Sequence, residues 1–225
     1  MEDEQYYLAT EKNLRQALSE PAAMKAWFDQ VRIKVERVLD IGCGIGQALL
    51  PLAVHNGATG IGVDVSPMGL RMGHSFYGTN LPDARIAFIR APAERLPFAT
   101  ESFDLVNCGL ALPYMHNARA IGEAARVLRR EGIFLLKIHH PRYYLRELRQ
   151  GLSKRDMSSV LHSSRVLIAG SLYHLTGWQP QTWLLNESYQ TQWLLRRELA
   201  KHGMFIEREQ MQTNALTPAF VIRKQ

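Results

Sequence analysis

Cysteine is scarce in this sequence: its 225 residues include two, Cys43 and Cys108. Each sits in an apolar, strand-like stretch, and neither has a second thiol at metal-ligand spacing. That excludes a disulfide framework and a thiolate zinc site, and it reads as two reduced, structural thiols. Long apolar runs are missing too. None approaches the roughly 18–20 residues that a membrane-crossing helix needs. The first thirteen residues, MEDEQYYLATEKN, are acidic and polar, which does not describe a secretory signal. A soluble, cytoplasmic protein is therefore expected. There is no repeat, no low-complexity tract and no polybasic tail. A net charge of +6 permits a polyanionic partner without requiring one. Metal-ligand clusters are also lacking. His139 and His140 are adjacent, so on a strand they point to opposite faces, and no acidic group accompanies them. No metal is expected.

What is present is enough for a core, with 46% hydrophobic and 21% charged residues. The length suits one large domain, or one domain carrying an insertion. Residues 10–33 carry helical spacing through Leu14, Leu18, Met24, Trp27, Phe28 and Val31, with Ser19 and Pro21 marking a junction between two helices. From residue 36 short apolar runs alternate with helical segments. Strands are expected at 38–41, 59–65, 85–89, 103–108 and 132–138, and helices at 47–55, 66–77 and 118–130. Strands separated by helices of about ten residues or more imply right-handed crossovers and a parallel sheet, doubly wound in the α/β class. The near-continuous apolar strands agree, since such sheets are covered on both faces. After His140 the alternation stops. Residues 141–186 read as helical or irregular, 189–202 as an amphipathic helix with Gly203 past its end, and 204–209 with 220–223 as a closing antiparallel pair. The expected organisation is an N-terminal helical cover (1–35) and a main domain (36–225), with 139–187 inserted on its substrate side.

The chemistry concentrates where the first strand ends, in Asp40-Ile41-Gly42-Cys43-Gly44-Ile45-Gly46. Glycines there permit a tight turn and close approach of a ligand to the main chain. The dinucleotide pattern G-x-G-x-x-G would place glycine at 47, where this chain has Gln47. Asp40 adds a carboxylate beside the loop, which repels a pyrophosphate and attracts a cationic amino-acid group. Both features favour S-adenosylmethionine over a nicotinamide cofactor. Asp64 ends the second strand about 20 residues beyond the loop, placed to accept hydrogen bonds from ribose hydroxyls.

Residues 38–47, 60–64, Ala93-Glu94-Arg95-Leu96-Pro97-Phe98, 102–107 and 123–137 resemble, in order, the successive motifs of class I S-adenosylmethionine-dependent methyltransferases. They are similar in particular to the branch that acts in quinone and natural-product synthesis. The resemblance spans about 36–138 and implies a seven-stranded, mostly parallel sheet with an antiparallel last strand. It further implies Gly42, Cys43, Gly44 and Gly46 beneath the methionyl part, Asp64 on the ribose and Val65 against the adenine. Ala93 and Glu94 would lie beside the adenine edge, with Asn107 and Gly109 near the methionyl amine and Asp40 on the same side. The family pattern has an acidic residue before the Ala-Glu pair. This chain has Pro92 there, so adenine is expected to be held by main-chain groups.

Methyl transfer from a sulfonium needs above all an aligned nucleophile, and positioning alone can supply roughly 7–11 kcal/mol. A base is required only where the acceptor arrives protonated. In an open α/β sheet the ligand crevice lies beyond the carboxyl ends of the strands. That makes Tyr114 and His116 after the fourth strand, and His139, His140 and Tyr143 after the fifth, the candidates for a base or substrate clamp. Each has a blander reading as a packing or capping residue. Trp178, Trp183 and Trp193, with Tyr173 and Tyr189, would suit a flat or apolar acceptor, or simply pack the insertion. An exposed aromatic insertion would also suit a homodimer contact. The basic, aromatic stretch 142–155 offers a second reading, an RNA or protein methyltransferase. Asn107-Cys108-Gly109-Leu110 lacks the Pro-Pro-aromatic pattern of base-amine methylation, which argues against nucleic acid. A nicotinamide-dependent oxidoreductase and a non-catalytic binding fold complete the alternatives. The expected reaction is methyl transfer to an O, N or C atom of a small molecule.

Overall fold

The computed structural model describes residues 2–19, 34–180, 182–210 and 216–225. A seven-stranded sheet runs through it, built from β1 (Arg37–Ile41), β2 (Thr59–Asp64), β3 (Ile86–Arg90), β4 (Phe103–Gly109), β5 (Leu128–Lys137), β6 (Met204–Gln210) and β7 (Ala219–Lys224). Spatial order is β3-β2-β1-β4-β5-β7-β6. The first five strands are parallel, and β7 is antiparallel to both β5 and β6. The expected doubly wound sheet with a reversed last strand is therefore present, and the closing pair falls where periodicity placed it.

Strand side chains alternate between two cores, as a period of two requires. Leu39, Val106, Phe134, Leu136, Phe220 and Ile222 enter one, and Val38, Leu105, Ile133, Leu135 and Val221 enter the other. The first core is covered by α3 (Asn117–Val127) through Ala120, Ile121 and Ala124 and by α6 (Gln192–Ala200) through Leu195 and Leu199. The second is covered by α2 (Pro67–Asn80) through Phe76 and Tyr77 and by α1 (Glu2–Ser19) through Leu14. Arg15 ties α1 to α2, its guanidinium 5.4 Å from the Phe76 ring centroid. Residues after β5 form α4 (Pro141–Lys154) and α5 (Met157–Thr176), followed by an irregular segment leading to α6. Among the described residues no helix is long and apolar enough to cross a membrane.

Three sequence expectations need correction. The helix expected at 47–55 is instead a run of turns ending in a π-helical turn, Leu50–Val54. Pro51 lacks an N–H and its ring opposes a regular helical turn, so the chain widens. His55 N–H donates to Leu50 and Ala58 N–H to Ala53, both five residues back. β5 begins four residues before the expected 132, because Leu128 already pairs with Phe103 across a register shift. The helix expected at 189–202 covers only Gln192–Ala200, started by the Thr191 hydroxyl that caps Leu194 N–H. The second N-terminal helix, through Met24 and Val31, lies outside the described residues.

Gly73 on α2 shows how tightly the second core packs. A Cβ there would lie 2.7 Å from the Phe88 ring and 2.9 Å from the Ile45 carbonyl oxygen. Glycine-to-alanine inside a helix normally gains about 0.5–1 kcal/mol. Overpacking against a backbone atom costs roughly 1–3 kcal/mol, so the clash wins. Gly73→Ala is expected to lower the urea midpoint at unchanged m-value; a raised midpoint would contradict this packing.

Candidate active site

The loop after β1 adopts backbone conformations that side chains resist. Gly42, Gly44 and Gly46 have φ of +68°, +54° and +84°. Sterics add to this at Gly42, where a Cβ would come within 2.3 Å of the Ala111 Cβ. The loop is laced to the end of β2: the Gly42 and Cys43 N–H groups donate to the Val63 carbonyl at 2.8 and 3.1 Å. Gly44 N–H donates to Asp64 Oδ2 at 2.8 Å, and Ser66 N–H donates to Asp64 Oδ1 at 2.9 Å. Asp64 thus joins the glycine loop to the N-terminus of α2, which Ser66 caps through its Oγ. Gly46 faces the other way, its φ-permitted turn packed against Phe88 and its carbonyl accepting the Tyr77 hydroxyl at 2.6 Å.

Asp40 is buried, 3% exposed, with Asn107 Nδ2 donating to its Oδ1 at 2.7 Å. Burial pushes its carboxyl up to about 7, opposed by the Asn107 hydrogen bond and assisted by the nearby Asp64 charge. The same burial raises both cysteine thiols, Cys108 to about 12, so neither is a nucleophile at neutral pH.

A cavity of about 730 Å³ opens at the carboxyl ends of β1, β2 and β4. Gly42, Asp64, Val65, Ala93, Glu94 and Gly109, all named as site candidates from the sequence, line it. Val65 is 62% exposed, an apolar surface turned toward open space. Glu94 is fixed by His116 N–H, which donates to its Oε1 at 2.7 Å. Asp40, Cys43, Gly44, Gly46 and Asn107 do not line it; Gly44 is half-buried and the other four are buried. Tyr6 and Tyr7 of α1 close one side, and a Cβ on Gly69 would sit 3.0 Å from the Tyr7 ring. α1 therefore reaches the cavity.

Of the five catalytic candidates, His139 and Tyr114 line the cavity. Tyr143 stacks on His139 with ring centroids 4.4 Å apart and planes 5° from parallel. His140 turns to capping, its Nδ1 accepting from Arg142 N–H at 3.2 Å at the start of α4. His116 precedes α3, with a buried Nδ1 that has no partner. Trp178, Trp183 and Trp193 do not line the cavity, whereas Tyr173, buried on α5, and Tyr189, against Gly170, pack the segment after β5. Trp178, Trp183 and Trp193 are mostly exposed, with Arg197 against the Trp193 ring. Two polar residues escaped the sequence reading, Tyr144 and Glu187, both buried behind His139. Tyr144 is one aromatic among several on a helix, and Glu187 follows no period, so neither gave a signal.

Residues 39–136 match the family model described as a methyltransferase domain. An uncharacterized methyltransferase of Synechocystis is 40% identical over 114 residues, 49% of this chain and 50% of that protein. An O-methyltransferase of Aspergillus nomiae, rstn1, is 34% identical over 98 residues, 43% of this chain and 44% of that one. This chain therefore spans about half or less of the curated relatives it matches. In fold, a SAM-dependent methyltransferase of Methanosarcina mazei superposes with a TM-score of 0.62 at 19% identity, over 88% of this chain and 98% of that chain. The matched span runs from within β1 through nearly all of β5 and includes the cavity residues from Ile41 to Met115, leaving Tyr6, Tyr7 and His139 outside it.

Asp40 gives the fold a pH-dependent stability. Its carboxyl is raised on folding, so the folded state holds the proton longer, and stability falls as pH rises from about 4 through about 7. Asp40→Asn keeps an acceptor for Asn107 and abolishes this dependence. It is expected to be more stable than the parent at pH 8, by no more than about 4 kcal/mol, and nearly equal at pH 4. Urea unfolding at both pH values checks this, and identical profiles for the two proteins would contradict it.

Proposed function

We propose that this chain binds S-adenosylmethionine across the glycine loop and transfers its methyl group to a small-molecule acceptor. The observation that carries the reading is one cavity that gathers Gly42, Asp64, Val65, Ala93, Glu94 and Gly109 from four separate strand ends and loops. Bound there, S-adenosylmethionine supplies a methyl carbon activated by a sulfonium; the acceptor's electron pair forms the new bond to it as the carbon–sulfur pair returns to sulfur.

The residues fit that cofactor better than a dinucleotide. The Gly42, Cys43, Gly44 and Gly46 N–H groups are already engaged, by Val63, Asp64 and Cys43. The chain continues in turns rather than into a regular helix. A pyrophosphate site depends on free loop N–H groups at a helix N-terminus, and here they are occupied. Asp64 has each oxygen held by one N–H, which leaves further lone pairs for two ribose hydroxyls. Val65 supplies an exposed apolar face for the adenine, and Ala93 and Glu94 stand beside its edge. Asp40, steered by Asn107, provides the negative charge that a methionyl ammonium favours.

The acceptor side is built from Tyr6, Tyr7, Tyr114, Met115 and His139. That lining suits an apolar or aromatic molecule with one protic group. The O-methyltransferase name of the fungal relative supports oxygen as the acceptor atom. Against the RNA reading, Arg146 of α4 pairs with Glu147 and lies over Tyr143. A cytoplasmic location and a homodimer contact through the exposed Trp178 and Trp183 belong to the same proposal.

Calorimetric titration with S-adenosylhomocysteine is expected to show binding that Asp64→Ala weakens about 10–150-fold, the worth of a charge-assisted hydrogen bond. NADH is expected to give no heat. Binding of NADH, or an unchanged affinity in the variant, would overturn the assignment.

A further inference from the structure

Behind His139 lies a chain of buried polar groups that the fold alone does not require. Tyr144, on the first turn of α4, is 1% exposed, and Glu187, in the irregular segment before α6, is 5% exposed. Tyr144 donates its hydroxyl proton to Glu187 Oε1 at 2.5 Å, and His139 Nδ1 lies 3.2 Å from the same phenol oxygen. His162 Nε2 faces the other carboxylate oxygen at 3.5 Å from the surface. A buried carboxylate of this kind is costly unless it is bonded. Glu187 accepts a hydrogen bond from Tyr144, whose other hydrogen-bond neighbour among the described residues, His139, faces the cavity.

We infer that Glu187 and Tyr144 form a positioning relay that fixes the tautomer of His139 and leaves its Nε2 as the proton acceptor of the methyl-transfer site. The logic is a count of protons. A phenol has one, and Tyr144 gives it to Glu187, so toward His139 its oxygen can only accept. His139 must then carry its proton on Nδ1, and Nε2 holds the lone pair. No hydrogen bond to Nε2 occurs among the described residues, and His139 lines the cavity. Tyr143 stacked on the imidazole holds the ring plane. Burial and the nearby Lys137 charge lower the imidazole to about 4, so it enters the reaction neutral.

The relay rests on the methyl-transfer reading and sharpens its acceptor to a hydroxyl or an N–H bearing molecule. When such an acceptor forms its new bond to carbon it loses one proton, and Nε2 takes it. The resulting imidazolium keeps its Nδ1–H on Tyr144, whose own proton remains on Glu187, so the positive charge forms one phenol away from a carboxylate. The proton then leaves to water through the cavity mouth. His139 is the catalytic base in this scheme, and Tyr144 and Glu187 act through it. The logic parallels the carboxylate that orients a catalytic imidazole in hydrolases, with a phenol interposed.

The test is NMR of the ¹⁵N-histidine-labelled protein, with the His139 signals assigned by His139→Asn. Long-range proton–nitrogen correlations distinguish a protonated Nδ1 from a protonated Nε2. Wild type near pH 7 is expected to show Nδ1–H and a bare Nε2, opposite to the tautomer that free neutral histidine prefers. Tyr144→Phe keeps the ring and is expected to move His139 toward Nε2–H. Where an acceptor has been found, the variant is expected to lower kcat at least tenfold, with the KM for S-adenosylmethionine unchanged. A bare Nδ1 in wild type, or a tautomer indifferent to Tyr144→Phe, overturns the relay. Because the spectrum needs neither cofactor nor acceptor, that outcome is separate from failure of the methyltransferase reading, which S-adenosylhomocysteine titration reports.

Discussion

The Asp64 carboxylate is the tie on which the site depends. By accepting from Gly44 and Ser66 it holds the loop after β1 and the start of α2 in one place. Those two segments are 22 residues apart in sequence and belong to different crossovers. Without the carboxylate, two backbone N–H groups beside an open cavity would turn to water, and the loop would lose its anchor. The same residue is thereby structural and available to a ligand. A carboxylate already oriented by main-chain donors loses little freedom when a pair of hydroxyls replaces solvent.

Around that tie, sterics decide which residues the loop can contain. Gly42 admits no Cβ because Ala111 approaches from the end of β4, and Gly46 admits none because Phe88 approaches from β3. The sheet order places β1 between β2 and β4, so its exit is crowded from both sides. This is the topological switch point, where neighbouring connections leave in opposite directions and a crevice opens. The charge at Asp40 sits just beneath, too buried to be solvated and too close to Asp64 to ionise cheaply. A cation arriving above it relieves part of that strain.

These features were legible in the sequence because each is local. Glycine at 42, 44 and 46, acids at 40 and 64, and apolar strands between them are a short-range pattern with a short-range cause. The strand order and the reversed β7 followed from alternation and from the resemblance it supports. The π-helical turn was misread since apolar spacing over 47–55 resembles a helix until Pro51 is weighed against it. The His139 side of the cavity was legible only in part. His139 was visible as the residue after β5, but its partners come from α4 and from position 187, 43 residues beyond Tyr144. Nothing in the spacing of Tyr143 and Tyr144 says which stacks and which is buried. The exposed tryptophans misled for the complementary reason: aromatic composition predicts burial, and here Trp183 is 85% exposed.

The two tyrosines on α1 carry a consequence for how small a working unit can be. Tyr6 and Tyr7 belong to a segment that precedes the first strand by thirty residues, yet they form a wall of the cavity, with Tyr7 against Gly69 on α2. A fragment beginning at the sheet would keep every glycine and both acids and still present a site open on one side. A ligand bound there would be wetted where the helix now stands, and each polar contact there would be weakened by the higher local dielectric. The boundary of the working unit is thus set by a side-chain contact and lies well outside the stretch by which the domain is recognised.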